Sequence, residues 1–201
     1  MSASQRIALL GVLAAVNSVV RLMGAGVAGM ETAFALIIIS GYVLGSSFGF
    51  SLGFLSILAS ALISGGVGPW LPFQLVGAAL VGFLAGLLPK PNSLRLRIVT
   101  ASVFSVLASY GYGMFVTAWT WPLFVGPETS LSYVEGGPLI ENIGRFLQFE
   151  LVSGGLIWDT GRAITTVALI ALTGKALMAT LERAATRTDY RKFLANVRQG
   201  D

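Results

Sequence analysis

The chain contains no cysteine and no histidine, and it carries little charge of either sign. Without cysteine there are no disulfides and no thiolate metal sites. Without histidine, the commonest general base and metal ligand are missing, and so is every Ser–His or Cys–His dyad. An intramembrane aspartyl mechanism needs paired carboxylates, and Asp159 has no obvious aspartate partner. No enzymatic activity, metal or cofactor is therefore expected. The stretch "LTGKAL" lacks the first glycine of G-x-x-x-x-G-K-[ST], so the chain cannot hold ATP by a phosphate loop. If ATP drives anything here, the motor sits on other chains.

The scarcity of charge sets the class. Only 11% of residues are charged, 55% are hydrophobic and the mean hydropathy is +0.80, whereas soluble domains carry about 25% charged residues. From Thr32 to Pro89, 58 residues, there is no Asp, Glu, Lys or Arg. A membrane span needs about 20 apolar residues. The fold class is thus an all-α integral membrane protein, one bundle of six transmembrane helices.

Apolar runs place the spans at 7–23, 32–44, 48–63, 71–88, 98–118 and 149–175, the second being short. Together they make a membrane domain over 1–182, followed by a basic cytoplasmic tail at 183–201. Gly, Pro and Ser clusters punctuate the runs, as in "GAGVAG", "SGGVGP" and "PKPNS". The start, "MSASQRIALLGVLAAVNSVV", also has the form of a signal peptide, whose removal would leave five spans. Asn17 and Arg21 are awkward in a discarded segment.

Basic residues orient the bundle. With the N-terminus inside, Arg6, Lys90, Arg95, Arg97, Lys175, Arg183, Arg187, Arg191, Lys192 and Arg198 all fall at cytoplasmic ends, ten of the 13 Lys and Arg. The outer half keeps Arg21, Arg145 and Arg162 with Glu31, Glu128, Glu135, Glu141, Glu150 and Asp159. This bias makes both termini cytoplasmic. It explains the net charge of +4 as membrane orientation; no nucleic acid partner is expected.

Lipid gives helices no hydrophobic reason to associate, so close contact through small residues does that work. Small residues recur every four positions at Gly41, Gly45, Gly49 and Gly53, at Ala78, Gly82 and Gly86, and at Ala101, Ser105, Ser109 and Gly113. Spans three to five read as ordinary bundle packing. Gly11 and Ala15 on span one lie near the cytoplasm, where a second membrane subunit can dock.

Asp159 and Arg162 interrupt the last span. An ionised group at mid-helix costs about 2.5–3.5 kcal/mol and usually faces a bundle interior or wet cavity. As i,i+3 neighbours the two can pair. With span six starting near 149, Asp159 lies about 15 Å down, near the membrane centre. Asn17, Arg21, Glu31, Gln74, Tyr110 and Tyr112 fall at similar or shallower depth. Together they outline a pocket open to the outside, covered by "GAGVAGM" and the long connector 119–145. Trp70 and Trp119 sit at the same side; Trp119, Trp121 and Tyr133 read singly as an interfacial belt, though flat rings also suit a conjugated ligand. The competing reading is an ion-pair network of Arg21, Glu31, Asp159 and Arg162 that only fixes helix order.

The chain resembles the substrate-binding S components of energy-coupling factor (ECF) transporters over about residues 6–178. The resemblance rests on "RIALLGVLAAV" at 6–16, on the block 31–89 with its "GGVGPWLPFQ", and on the six-span plan. It implies a multi-pass protein of a prokaryotic plasma membrane that captures a vitamin or related micronutrient outside. It then delivers this cargo inward with a membrane T component and two ATP-binding subunits. The family's A-x-x-x-A motif for T-component contact corresponds here to Gly11 and Ala15, with Ala14 beside them. The resemblance places the cargo near the outer side, among spans four to six and under the first loop. The substrate-binding residues implied are Asn17, Arg21, Glu31, Trp70, Gln74, Tyr110, Tyr112, Trp119, Asp159 and Arg162. "GPWLPFQ" inclines the cargo toward a corrinoid such as cobalamin, with riboflavin next. The alternative is a non-transporting membrane scaffold or biogenesis subunit with a similar helix plan, which would need no occupied pocket.

Overall fold

The structure, a computed structural model, describes residues 1–24, 29–126 and 129–199, side chains at 124 and 187–199 excepted. The core of the expected first loop, Glu128 and the basic side chains of the tail beyond 186 lie outside the described residues. The described residues form seven helices and no strand: α1 Ala3–Met23, α2 Ala33–Leu44, α3 Ser46–Ser64, α4 Leu71–Ala85, α5 Leu94–Phe124, α6 Leu139–Val152 and α7 Gly155–Gln199. Four of them, α1, α3, α5 and α7, contain stretches long and apolar enough to cross a membrane; α2 and α4 are apolar but shorter.

Local chemistry sets several ends. Ser2 caps α1: its hydroxyl accepts from the Gln5 amide at 3.3 Å, while the Gln5 side chain accepts from the Ser2 amide at 3.1 Å. Pro72 sits in the first turn of α4, where a missing N–H costs nothing. Two boundaries differ from those read from the sequence. The fifth helix continues past 118 through Pro122 to Phe124, and α6 begins at Leu139, so the open connector is 125–138 rather than 119–145. The sixth apolar run is divided: α6 ends at Val152, Gly154 takes φ +80°, and α7 starts at Gly155. A left-handed backbone at glycine ends a helix at no steric cost. The apolar residues on either side hid "SGG" at 153–155. Asp159 consequently lies in the first turn or so of α7, about 6 Å from its start, not some 15 Å down a helix beginning at 149.

α2 occupies the centre. It is apolar on every face, and Phe34, Ile37, Ile38, Ile39 and Tyr42 have no solvent exposure, as expected of a helix surrounded by others. α3 and α4 pack antiparallel along their small residues. Ser46 meets Gly86, Gly49 meets Gly82 and Gly53 meets Ala78, and Gly41 of α2 closes the same junction. A Cβ at Gly82 would strike the Gly49 backbone.

The bundle has two distinct ends. At one, Arg6 donates to Ser47 Oγ at 2.8 Å, the Tyr42 hydroxyl donates to the Pro89 carbonyl at 2.8 Å, and Arg97 pairs with Glu182 at 2.5 Å. The other end holds Arg21, Glu31, the α6–α7 turn and the connector 125–138. Substituting Gly82→Val should lower the melting temperature of the purified chain by several degrees or abolish its monodisperse elution. Overpacking costs about 1–3 kcal/mol even where neighbours can shift, and here the neighbour is backbone. Gly11→Val should leave both unchanged, because a Cβ there meets nothing within 4 Å.

Candidate functional site

A polar cavity opens at the end of the bundle opposite Arg6 and Arg97. It has two lobes, of about 300 and 270 Å³, that share Gln74, Tyr112, Trp158 and Arg162 as a common wall. The first lobe lies between α5 and the α6–α7 turn, against Thr117, Thr120, Phe149, Ser153 and Asp159. The second lies between the end of α1 and the start of α2, against Arg21, Gly24, Gly29, Glu31 and Ser64.

Arg162 is the hub. Its Nη1 donates to the Asp159 carboxylate and, at 3.0 Å, to the Ser109 carbonyl of α5. Its guanidinium lies 4.9 Å from the Tyr112 ring and 5.8 Å from the Phe34 ring, within range of a cation–π attraction. Those two rings meet edge to face at 4.9 Å. One cation therefore ties α7 to α5 and α2. The Asp159 side chain is almost wholly buried, yet its Oδ2 has no hydrogen-bond partner. It fits because residue 113 on α5 is glycine; a Cβ there would overlap the carboxylate.

A second ion pair borders the other lobe. Arg21 Nε stands 3.5 Å from Glu31 Oε2, and Arg21 Nη1 donates to Ser60 Oγ at 3.0 Å. The Thr32 hydroxyl donates to the Val20 carbonyl at 2.6 Å, which holds the start of α2 against the end of α1. Gly29, at φ +70°, rests directly on Gly161 and the Trp158 carbonyl of α7. Neither residue 29 nor residue 161 has a side chain to keep the backbones apart. This seats the descending end of the first loop on the helix that carries Asp159 and Arg162.

Of the residues read from the sequence, Arg21, Glu31, Gln74, Tyr112, Asp159 and Arg162 line the cavity. Four others stand elsewhere. Asn17 is fully buried in α1 with both side-chain polar atoms unpartnered, and it borders neither lobe. Trp70 packs over Gly68 ahead of α4. The Tyr110 hydroxyl bonds Thr160 Oγ1 at 2.7 Å on the α5–α7 seam. Trp119 is half-exposed and stacks on Phe73 at 5.1 Å. Trp121 is buried: its indole donates to the Leu131 carbonyl at 2.8 Å, and it packs on Tyr133 and Phe146, so it holds the connector in place.

Sequence reasoning missed Trp158, Thr117 and Thr120, as well as the residues of the α6–α7 turn. The signal for the threonines was present. Tyr112, Gly113, Val116, Thr117 and Thr120 repeat at helical spacing and share one face of α5. The turn was hidden by the assumption of a continuous helix from 149. On α1, Gly11 and Ala15 lie on the exposed face beside Ile7, Val12 and Val16, whereas Ala14 is buried against the bundle.

Asp159→Ala should destabilise the chain by about 3–5 kcal/mol, because it strands a buried guanidinium. Asp159→Ala/Arg162→Met should recover much of that loss. Thermal unfolding of both variants in detergent checks this; equal losses would show that the pair is not coupled.

Among known proteins, a family described as ECF transporter, substrate-specific component, matches residues 5–179. No curated protein and no solved structure matches the chain.

Proposed function

The chain belongs to the family of ECF transporter substrate-specific components, and on that premise we propose that it captures a vitamin or related micronutrient from outside in the two-lobed cavity. The observation that carries this reading is that Asp159 and Arg162 face open volume. A purely structural ion pair would be sealed in packing on every side; this one forms part of a cavity wall, with Asp159 Oδ2 and Arg162 Nε buried and unpartnered just behind it. Polar groups held ready in a largely apolar body are what a small-molecule site requires.

The two ends of the bundle support an orientation. Arg6, Lys90, Arg95 and Arg97 gather at the end away from the cavity, so the positive-inside rule puts that end in the cytoplasm and the cavity outside. Both termini are then cytoplasmic. The six-span count adds α2 and α4 to the four long helices, with α6 lying at the outer surface. Membrane domain and tail divide near residue 182.

Delivery inward needs an engine that this chain does not carry. We assign it to a T component and two ATP-binding subunits, as the family implies, with the exposed Gly11 and Ala15 on α1 as the docking ridge. A small, flat face beside exposed Val12 and Val16 lets a partner helix approach closely. Ala14, turned inward, supports the ridge from behind.

Cavity size bears on the cargo. Lobes of about 300 and 270 Å³ lie at the lower end of small-molecule sites. They favour a ligand of riboflavin's size or smaller over a corrinoid, which exceeds both lobes together.

Mass spectrometry of small molecules released from the purified chain should find a micronutrient bound without nucleotide. Capture that strictly requires ATP would contradict the division of labour. Gly11→Leu or Ala15→Leu should abolish co-purification with the T component while leaving capture intact. Undiminished assembly would remove the ridge from the account.

A further inference from the structure

We propose, resting on the capture role above, that the cargo presents a positively charged nitrogen to the first lobe and that Glu150 receives it. Among the described residues, each of the other buried or half-buried carboxylates has a cation: Glu31 has Arg21, Asp159 has Arg162 and Glu182 has Arg97. Glu150 has none. It is 2% exposed, and neither carboxylate oxygen has a hydrogen-bond partner. Thr117 faces it from α5 without reaching hydrogen-bond geometry.

The placement of Glu150 is built into α6. That helix turns its apolar residues outward: Leu139, Ile140, Ile143, Leu147 and Leu151 are exposed, as a lipid-facing surface requires. Its buried residues are Asn142 and Glu150. Asn142 is fully engaged, accepting from the Val134 amide and donating to the Val134 carbonyl, both at 2.9 Å. Glu150 has no comparable task in the fold. Its carboxylate occupies the space beside Gly155, where any side chain would displace it. Thr117, Phe149, Ser153 and Gly155 line the first lobe, and Glu150 sits directly behind that wall, one side-chain rotation from it.

The charge balance of that lobe follows. Glu150 behind the wall and Asp159 on it supply two carboxylates against the single guanidinium of Arg162, a net charge of −1 when both are ionised, the state a bound cation favours. Asp159 Oδ2 is unpartnered as well. A buried ion without a partner costs several kcal/mol, and a ligand cation between these oxygens removes that cost. Phe149 and Trp158 line the same lobe, and aromatic rings attract organic cations. An anionic cargo meets the same field as repulsion, so the lobe selects against it.

The test uses the full-length chain in detergent and a thermal-shift panel graded by charge. Thiamine and choline serve as cations, riboflavin and cyanocobalamin as neutral probes, and biotin and pantothenate as anions. A cation alone should raise the melting temperature. Glu150→Gln should weaken its binding at least tenfold while raising the melting temperature of the ligand-free chain by a few degrees, since it removes an unmatched charge. Binding of a neutral or anionic probe would overturn the inference and leave the capture role standing. So would an undiminished cation affinity in Glu150→Gln. A ligand-free Glu150→Gln that melts lower than the parent would instead make Glu150 a structural residue. If neither cation binds, the inference falls, and the capture role is decided separately by the molecules released from the purified chain.

Discussion

A guanidinium inside a membrane bundle constrains everything near it, because its cost falls only if several partners stand in place at once. Arg162 meets that demand with Asp159 on its own helix, the Ser109 carbonyl and Tyr112 ring on α5, and the Phe34 ring on α2. These partners come from three helices far apart in sequence. The register of α2, α5 and α7 at their cavity ends is therefore coupled through one side chain. The cavity exists because that register leaves the space above the hub unfilled.

Elsewhere the bundle relies on the absence of side chains. Gly41, Gly49 and Gly82 bring three backbones into contact, and Gly29 and Gly161 bring a loop onto α7. Gly113 and Gly155 do something different: each gives up its own side-chain volume to a neighbouring carboxylate, Asp159 in one case and Glu150 in the other. The same residue type thus serves as a packing surface in the body of the protein and as a recess for charge at its cavity end.

Much of this was legible in the sequence, for identifiable reasons. The charge-free stretch over residues 32–89 announced the membrane, and the four-residue spacing of small residues marked the α3–α4 seam. Asp159 and Arg162 stood out because ionised residues are rare in an apolar run. Glu150 was read only as one of several outer acids, since its isolation from any cation is a property of three dimensions. The division of the last run at Ser153–Gly155 was lost because hydropathy does not sense a left-handed glycine. Tyr110 and Tyr112, two residues apart, looked equivalent; on a helix that spacing turns them about 200° apart, one to the cavity and one to the α5–α7 seam. Trp119 and Trp121 divide in the same way, one half-exposed and one buried.

α4 has 15 residues, which span about 22 Å at 1.5 Å each, while the hydrocarbon layer is about 30 Å thick. Its Val76, Leu80, Phe83 and Leu84 are exposed, an apolar flank suited to lipid tails. Mismatch of that kind is relieved by local thinning or by tilt, at a fraction of a kcal/mol per Å. In the six-span arrangement proposed above, the bilayer is strained more on the α4 flank than beside α5 or α7. That asymmetry, in the same arrangement, favours a lean set by lipid thickness rather than by any bond within the chain.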